Sequence, residues 1–200
     1  MAAPGQKPGP RSKPGQRPKK VDPGYLERAA LFYLERYASS TANLRRVLQR
    51  KVRRRAEGSE DGPPPEVAAW IEAVIEKLTR LGFLNDQRYA EQRTRRLYDE
   101  GKSLSRIRQT LAAKGVKADM TGAALENLAE ERAEPVTDLP AAIAYARRRK
   151  LGPFRADPES RRELRNKDMA ALARRGFSSD LIRRILAAES VEALESLSND

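Results

Sequence analysis

The chain of 200 residues contains no cysteine and no histidine. Without cysteine there are no disulfide bonds and no thiolate chemistry, and without histidine there is no Ser-His triad and no histidine-ligated metal. No apolar run approaches the ~18 residues of a membrane span, and the first residues lack the apolar core of a signal peptide. We therefore expect a cytoplasmic protein that makes no contact with a membrane.

Carboxylates are the side chains that remain for acid–base catalysis. Asp86, Asp99, Glu100 and Asp119 fall at the ends of predicted helices, where carboxylates usually cap or complement the backbone. The sequence also has no glycine-rich loop of the P-loop or dinucleotide-binding type. We therefore predict a protein that is not an enzyme and that uses neither a metal nor another cofactor.

Positive charge is what the chain has in excess, because 40 lysines and arginines face 28 acidic residues and leave a net charge of +12. Charged residues make up 34% of the chain and hydrophobic residues 39%, a composition typical of thin, extended packing. A protein of this charge is expected to bind a polyanionic partner, such as a nucleic acid or an acidic groove of another protein.

Two short helices are predicted within residues 81–116. Asn85 is a good N-cap for the first helix, and Gly101 ends it. Ser103 can cap the second helix, and Gly115 follows its basic last turn. Each helix has a single apolar stripe, so the pair needs a third helix to bury itself.

The same pattern recurs along the chain with a period of about 50 residues, which is typical of helical repeats. The repeats are predicted at residues 24–82, with a loop inserted at 57–65, at residues 83–130 and at residues 138–189. The sequence therefore predicts an all-α fold, an elongated, curved array of three degenerate three-helix repeats.

Both ends of the chain are predicted to lie outside the repeats. Residues 1–23 consist of proline, glycine, lysine and arginine with almost no apolar side chain, so we expect a disordered basic arm. The arm either solubilises the protein or attracts phosphates without sequence preference. Residues 190–200 are expected to be a frayed C-terminus.

Arginines cluster on the predicted outer faces of helices in all three repeats. The planar guanidinium suits phosphate and carboxylate recognition better than a lysine ammonium does. We therefore expect a functional basic surface that includes the following residues: Arg45, Arg46, Arg50, Arg88, Arg95, Arg106, Arg108, Arg147, Arg148, Arg149, Arg183 and Arg184.

Aromatic residues give little support for base stacking. They occupy apolar stripes or positions after glycine, where packing is the expected role. The residues assigned to the core on this basis are Tyr33, Trp70, Phe83, Tyr89, Tyr145 and Phe177.

Three segments resemble one protein family. The runs GFLNDQRYAEQRTRR, KSLSRIRQTLAAKGV and ARRGFSSDLIRRIL look like signature segments of the RecX regulatory proteins, bacterial modulators of the RecA recombinase. The likeness is strong over residues 78–125, weaker over residues 139–186 and loose over residues 26–55.

The resemblance implies three three-helix repeats and a role without catalysis. It further implies a monomer that binds along the groove of the RecA filament on single-stranded DNA, restrains ATP hydrolysis and strand exchange, and modulates recombination, DNA repair and the SOS response. The basic surface and the arm would offer direct contacts to single-stranded DNA. The alternative is a general DNA- or RNA-binding helical-repeat protein that has no recombinase partner.

Overall fold

The computed structural model describes residues 20–57 and 62–196. Within these ranges the chain forms helices joined by short turns and contains no strand, which confirms the predicted all-α fold. A short 3-10 helix, Gly152–Phe154, lies between α7 and α8. The α-helices are α1 (Pro23–Leu34), α2 (Thr41–Ala56), α3 (Val67–Arg80), α4 (Asp86–Asp99), α5 (Leu104–Ala113), α6 (Ala118–Arg132), α7 (Asp138–Arg149), α8 (Pro158–Glu163), α9 (Arg165–Ala173), α10 (Ser179–Ala187) and α11 (Val191–Ser196).

Polar side chains begin several of these helices, as the sequence predicts. The side chain of Asn85 accepts a hydrogen bond from the backbone N–H of Arg88 at 2.9 Å, and Ser103 accepts one from Arg106 at 3.1 Å. Ser178 caps α10 in the same way. Each cap satisfies one of the amide groups that a helix leaves unpaired at its start, which stabilises the fold by ~1 kcal/mol.

The apolar stripes of the helices bury themselves in two clusters. The first cluster lies among α1, α2 and α3, where Leu26, Leu48 and Leu78 are almost fully buried. The second cluster runs from α4 to α11 and includes Ile107 and Leu172. The second and third repeats therefore share a hydrophobic core, whereas the first repeat has a core of its own.

The third repeat departs from a simple three-helix unit. Its middle helix corresponds to α2 in the first repeat and to α5 in the second. This helix is divided at Leu164 into α8 and α9, and the 3-10 helix precedes them. Asp168 on α9 is buried and accepts hydrogen bonds from the backbone N–H of Gly152 and from the guanidinium of Arg155. This bidentate pair holds the extra turn against α9.

The ends of the fold differ from the sequence prediction in two places. Val21 is only 5% exposed and the carboxylate of Asp22 caps α1, so the predicted disordered arm of residues 1–23 extends too far into the fold. Leu194 on α11 is fully buried in the second core, so the predicted fraying of residues 190–200 is wrong there. Apolar burial orders both segments. The prediction for residues 1–19 and for residues 197–200 lies outside the described residues.

The loop prediction for residues 57–65 is tested only in part. Glu57 follows the last residue of α2, residues 62–66 are not helical, and residues 58–61 lie outside the described ranges.

One arrangement of polar contacts joins the first repeat to the second. The carboxylate of Asp86, the first residue of α4, accepts hydrogen bonds from the backbone N–H and the hydroxyl of Thr41 at the start of α2, both at 2.7 Å. The hydroxyl of Ser40 donates to the carbonyl of Lys114 at the end of α5. We call this set of contacts the first joint.

The same arrangement, the second joint, connects the second repeat to the third. Asp138 is the first residue of α7, and its carboxylate accepts a hydrogen bond from the backbone N–H of Leu104 at 2.6 Å. The backbone N–H of Ser103 donates to the carbonyl of Arg175 at 3.1 Å. In each joint, the amino end of one repeat's middle helix contacts two parts of the next repeat. These are the aspartate that begins its first helix and the carboxyl end of its middle helix.

Candidate functional site

All but one of the predicted contact arginines fall into two groups, and in the first group the guanidinium is already engaged within the fold. Arg45 forms a bidentate pair with Glu72, with both bonds at 2.6 Å, and this pair lowers the pKa of the Glu72 carboxyl. Arg46 donates to the carbonyl of Ala113 at 2.9 Å. Two further predicted arginines bind acidic partners: Arg95 pairs with Glu131, and Arg183 pairs with Asp180.

The second group lies on exposed surface of the helices and is spread over all three repeats. Its members are Arg50, Arg88, Arg106, Arg108, Arg147, Arg149 and Arg184. Arg106 lies 3.4 Å from the side-chain oxygen of Gln109, and the guanidinium of Arg147 lies 5.6 Å from the ring centre of Phe154. The structure does not gather these residues into one pocket.

Arg148 has a different position, at the carboxyl end of α4. Its guanidinium donates to the carbonyls of Asp99 at 3.2 Å and Glu100 at 2.9 Å. Arg175 donates to the carbonyl of Glu100 as well, at 3.3 Å, and lies 4.4 Å from the ring centre of Tyr145. Two cations thus satisfy unpaired carbonyls and complement the negative end of the helix dipole.

These residues form one wall of an open recess of about 580 Å³ between the second and third repeats, which we call the arginine recess. It is lined by Gln92, Arg95, Arg96, Asp99, Glu100, Arg148 and Arg175. Arg95 and Arg148 are predicted contact residues, whereas the sequence analysis missed Arg96 and Arg175. A helical wheel of α4 would have found Arg96, because positions 92, 95, 96 and 99 share one face. Arg175 follows α9 in the third repeat, far from α4 in the sequence. It reaches the arginine recess only because the second and third repeats stack on each other.

A second recess, of about 350 Å³, continues the arginine recess toward the first repeat. It shares Gln92 and Arg96 with the arginine recess and adds Arg36, Tyr37, Ala38, Tyr89 and Arg93. The Nε of Arg93 is buried and has no hydrogen-bond partner among the described residues.

The aromatic residues divide between core and surface. Tyr145 and Phe177 are buried, and Tyr33, Trp70 and Tyr89 are half-buried against the cores, in line with the prediction. The assignment of Phe83 to the core is wrong, because its side chain is 59% exposed. Leu84, the residue after Phe83, enters the core of the first repeat instead.

Across residues 20–57 and 62–196, no helix is both long and apolar enough to span a bilayer. In the same ranges, the acidic residues form no group of three that could hold a metal ion.

Comparison with known protein families finds two matches along the chain. The model described as the second three-helix domain of RecX matches residues 85–125, and the model described as the third three-helix domain of RecX matches residues 138–186. These two segments contain α4 with α5, and α7 through α9 with nearly all of α10, so they include all seven residues that line the arginine recess.

Curated relatives extend the likeness to nearly the whole chain. The regulatory protein RecX of Myxococcus xanthus is 43% identical over 173 residues, which cover 86% of this chain and 89% of that protein. The regulatory protein RecX of Agrobacterium fabrum is 32% identical over 88% of this chain and 89% of its own length. The crystal structure of RecX from Lactobacillus salivarius shares the fold, with a TM-score of 0.52 and 23% identity over 84% of this chain and 96% of that chain.

Proposed function

Since this chain belongs to the RecX family of regulatory proteins, we propose that it binds the RecA filament on single-stranded DNA and inhibits its ATPase and strand exchange. Through this inhibition it modulates recombination, DNA repair and the SOS response. It acts as a monomer in the cytoplasm, uses no cofactor and catalyses no reaction. Its basic side chains contact RecA and the single-stranded DNA of the filament.

The observation that supports this proposal best is the arginine recess. Four of its seven lining residues are arginines, contributed by two repeats. Sites for small molecules are mostly apolar, with a few polar groups, whereas this recess is open and lined almost entirely by charged and polar side chains. These four guanidinium groups already bind Glu131, Glu100 and two backbone carbonyls within the fold. Each guanidinium has five N–H donors, so further donors suit the carboxylates or phosphates of an extended partner. A protein–DNA filament offers both.

The test is the ATPase of the cognate RecA on single-stranded DNA, measured with and without this protein. We expect substoichiometric protein to lower the ATPase rate, while the protein alone hydrolyses no ATP. A variant with Arg96→Glu serves as a probe of the recess, since Arg96 is exposed and pairs only with Glu100 on its own helix among the described residues. This variant should inhibit less and should keep the helical content of the wild type.

An unchanged ATPase rate at saturating protein would refute the proposal. Tight binding to free single-stranded DNA or RNA in the same preparation would then support the alternative, a general nucleic-acid-binding protein without a recombinase partner.

A further inference from the structure

In the described ranges, four glycines with positive φ lie two or three residues after the end of an α-helix and outside any other helix, and a neighbouring segment covers three of them. A Cβ at Gly101 would lie 2.7 Å from the Cβ of Tyr145, and one at Gly176 would lie 2.5 Å from the hydroxyl of Ser103. A Cβ at Gly115 would overlap that of Ala42. At Gly82 a Cβ would meet no described atom within 4 Å. Among these four glycine turns, the turn at Gly82 is therefore the one that no neighbouring segment covers.

Large apolar side chains surround this uncovered turn. Leu81 is 57% exposed, Phe83 is 59% exposed, and Phe32 on α1 is 52% exposed. Phe83 forms an open recess of about 630 Å³ with α1. We define the Phe83 patch as the apolar residues that line this recess, which are Leu31, Phe32, Leu34 and Phe83. Contiguous exposed apolar surface on a monomer usually marks a binding site.

The charge around the Phe83 patch is mostly positive. Arg28 and Glu35 line the recess, and the guanidinium of Arg36 lies 4.1 Å from the ring centre of Phe32. Arg88 lines an adjoining recess that also contains Phe83. Three guanidinium groups thus face one carboxylate at the edge of an apolar surface, which favours a ligand that is apolar in its centre and acidic at its ends.

We propose that the Phe83 patch docks an acidic protein segment that carries a large apolar side chain, and that this segment belongs to RecA in the filament. The inference rests on the proposed function, because it assigns the partner by that function, and it adds the surface and the chemistry of the contact. The apolar side chain enters between Phe83 and α1, and its acidic neighbours pair with Arg28 and Arg36.

The composition of the patch favours a protein segment over single-stranded nucleic acid. Bases stack on aromatic rings, but two of the four patch residues are the leucines Leu31 and Leu34, and the guanidinium of Arg36 already covers one face of the Phe32 ring.

The test uses the full chain carrying Phe32→Ser and Phe83→Ser. Both side chains are more than half exposed, so the variant should keep the circular dichroism and melting temperature of the wild type. The matched control is Met169→Ser, which removes another exposed apolar side chain, on α9 in the third repeat. Binding is measured by co-sedimentation with cognate RecA filaments formed on a dT36 oligonucleotide with a slowly hydrolysed ATP analogue, and separately by fluorescence anisotropy with free dT36.

We expect the double variant to bind the filament at least tenfold more weakly, with free dT36 binding unchanged and the control equal to the wild type. A second variant, Arg28→Glu, should also weaken filament binding, because the site selects an acidic segment.

Wild-type filament binding by the folded double variant would overturn the inference while leaving the proposed function intact. An equal loss of filament and free dT36 binding would show that the patch contacts nucleic acid, and would overturn it too. A wild-type protein that fails to bind the filament would refute both.

Discussion

Replacing Asp86 with alanine should test whether the first joint holds the repeats together. The substitution removes the acceptor of two hydrogen bonds from Thr41, one from its backbone N–H and one from its hydroxyl. Loss of a helix cap costs ~1 kcal/mol, loss of a charged acceptor for the hydroxyl adds a similar amount, and a carboxylate in the first turn of α4 contributes ~0.5 kcal/mol. We expect the free energy of unfolding to fall by about 2.5 kcal/mol, which lowers the melting temperature by roughly 5–10 °C in a chain of this size.

The assay is urea and thermal unfolding followed by circular dichroism. The control is Asp119→Ala, because Asp119 also lies in the first turn of a helix, is exposed, and accepts a hydrogen bond only from the adjacent Met120 among the described residues. That control should change stability by less than about 0.5 kcal/mol. If Asp86→Ala and Asp119→Ala have equal effects, Asp86 contributes only to its own helix and the joint is not a stabilising contact.

Three further predictions concern the surface, the turns and the N-terminus. Reversing Arg106 and Arg108 to glutamate should weaken co-sedimentation with RecA filaments on the order of tenfold while leaving helicity unchanged, and wild-type binding would show that these arginines are only solvated. Gly176→Ala should lower the free energy of unfolding more than Gly82→Ala does, because both introduce left-handed strain of ~1–2 kcal/mol but only the first also overlaps the N-cap of α5; equal losses in urea titrations would contradict this. Deleting residues 1–22 should lower the melting temperature by several degrees, because it removes a buried valine and the N-cap of α1, and an unchanged melting curve would show that neither contributes.

Local chemistry was enough to predict the caps of α4 and α5. Asn85 and Ser103 cap their helices because the signal lies within four residues of sequence and needs no knowledge of the rest of the fold. The role of Asp86 could be predicted only in part. The sequence places it at a helix end, but the helix it caps begins at Thr41, and that pairing depends on how two repeats stack.

The errors at Val21, Phe83 and Leu194 have one physical origin. Burial depends on which neighbour covers a side chain, and the sequence around a residue does not identify that neighbour. Phe83 and Phe177 both follow a helix-ending glycine, yet Phe177 is buried in the core of the second and third repeats and Phe83 is exposed. The same limit applies to the contact arginines, since the acidic partner of Arg45 lies 27 residues away and that of Arg95 lies 36 residues away.

The two joints give the molecule a direction. The carboxyl end of α9 meets the amino end of α5, and the carboxyl end of α5 meets the amino end of α2, so the dipoles of the three middle helices connect in series. The amino end of α9 and the carboxyl end of α2 are left as unlike poles, and Arg53, Arg54 and Arg55 place positive charge at the second of these. This protein can lie along a polar partner, such as a helical filament, in two opposite orientations. The end of the helix series that faces a given end of the partner would therefore differ between the two orientations. Orientation along such a partner follows from the order in which the repeats are stacked.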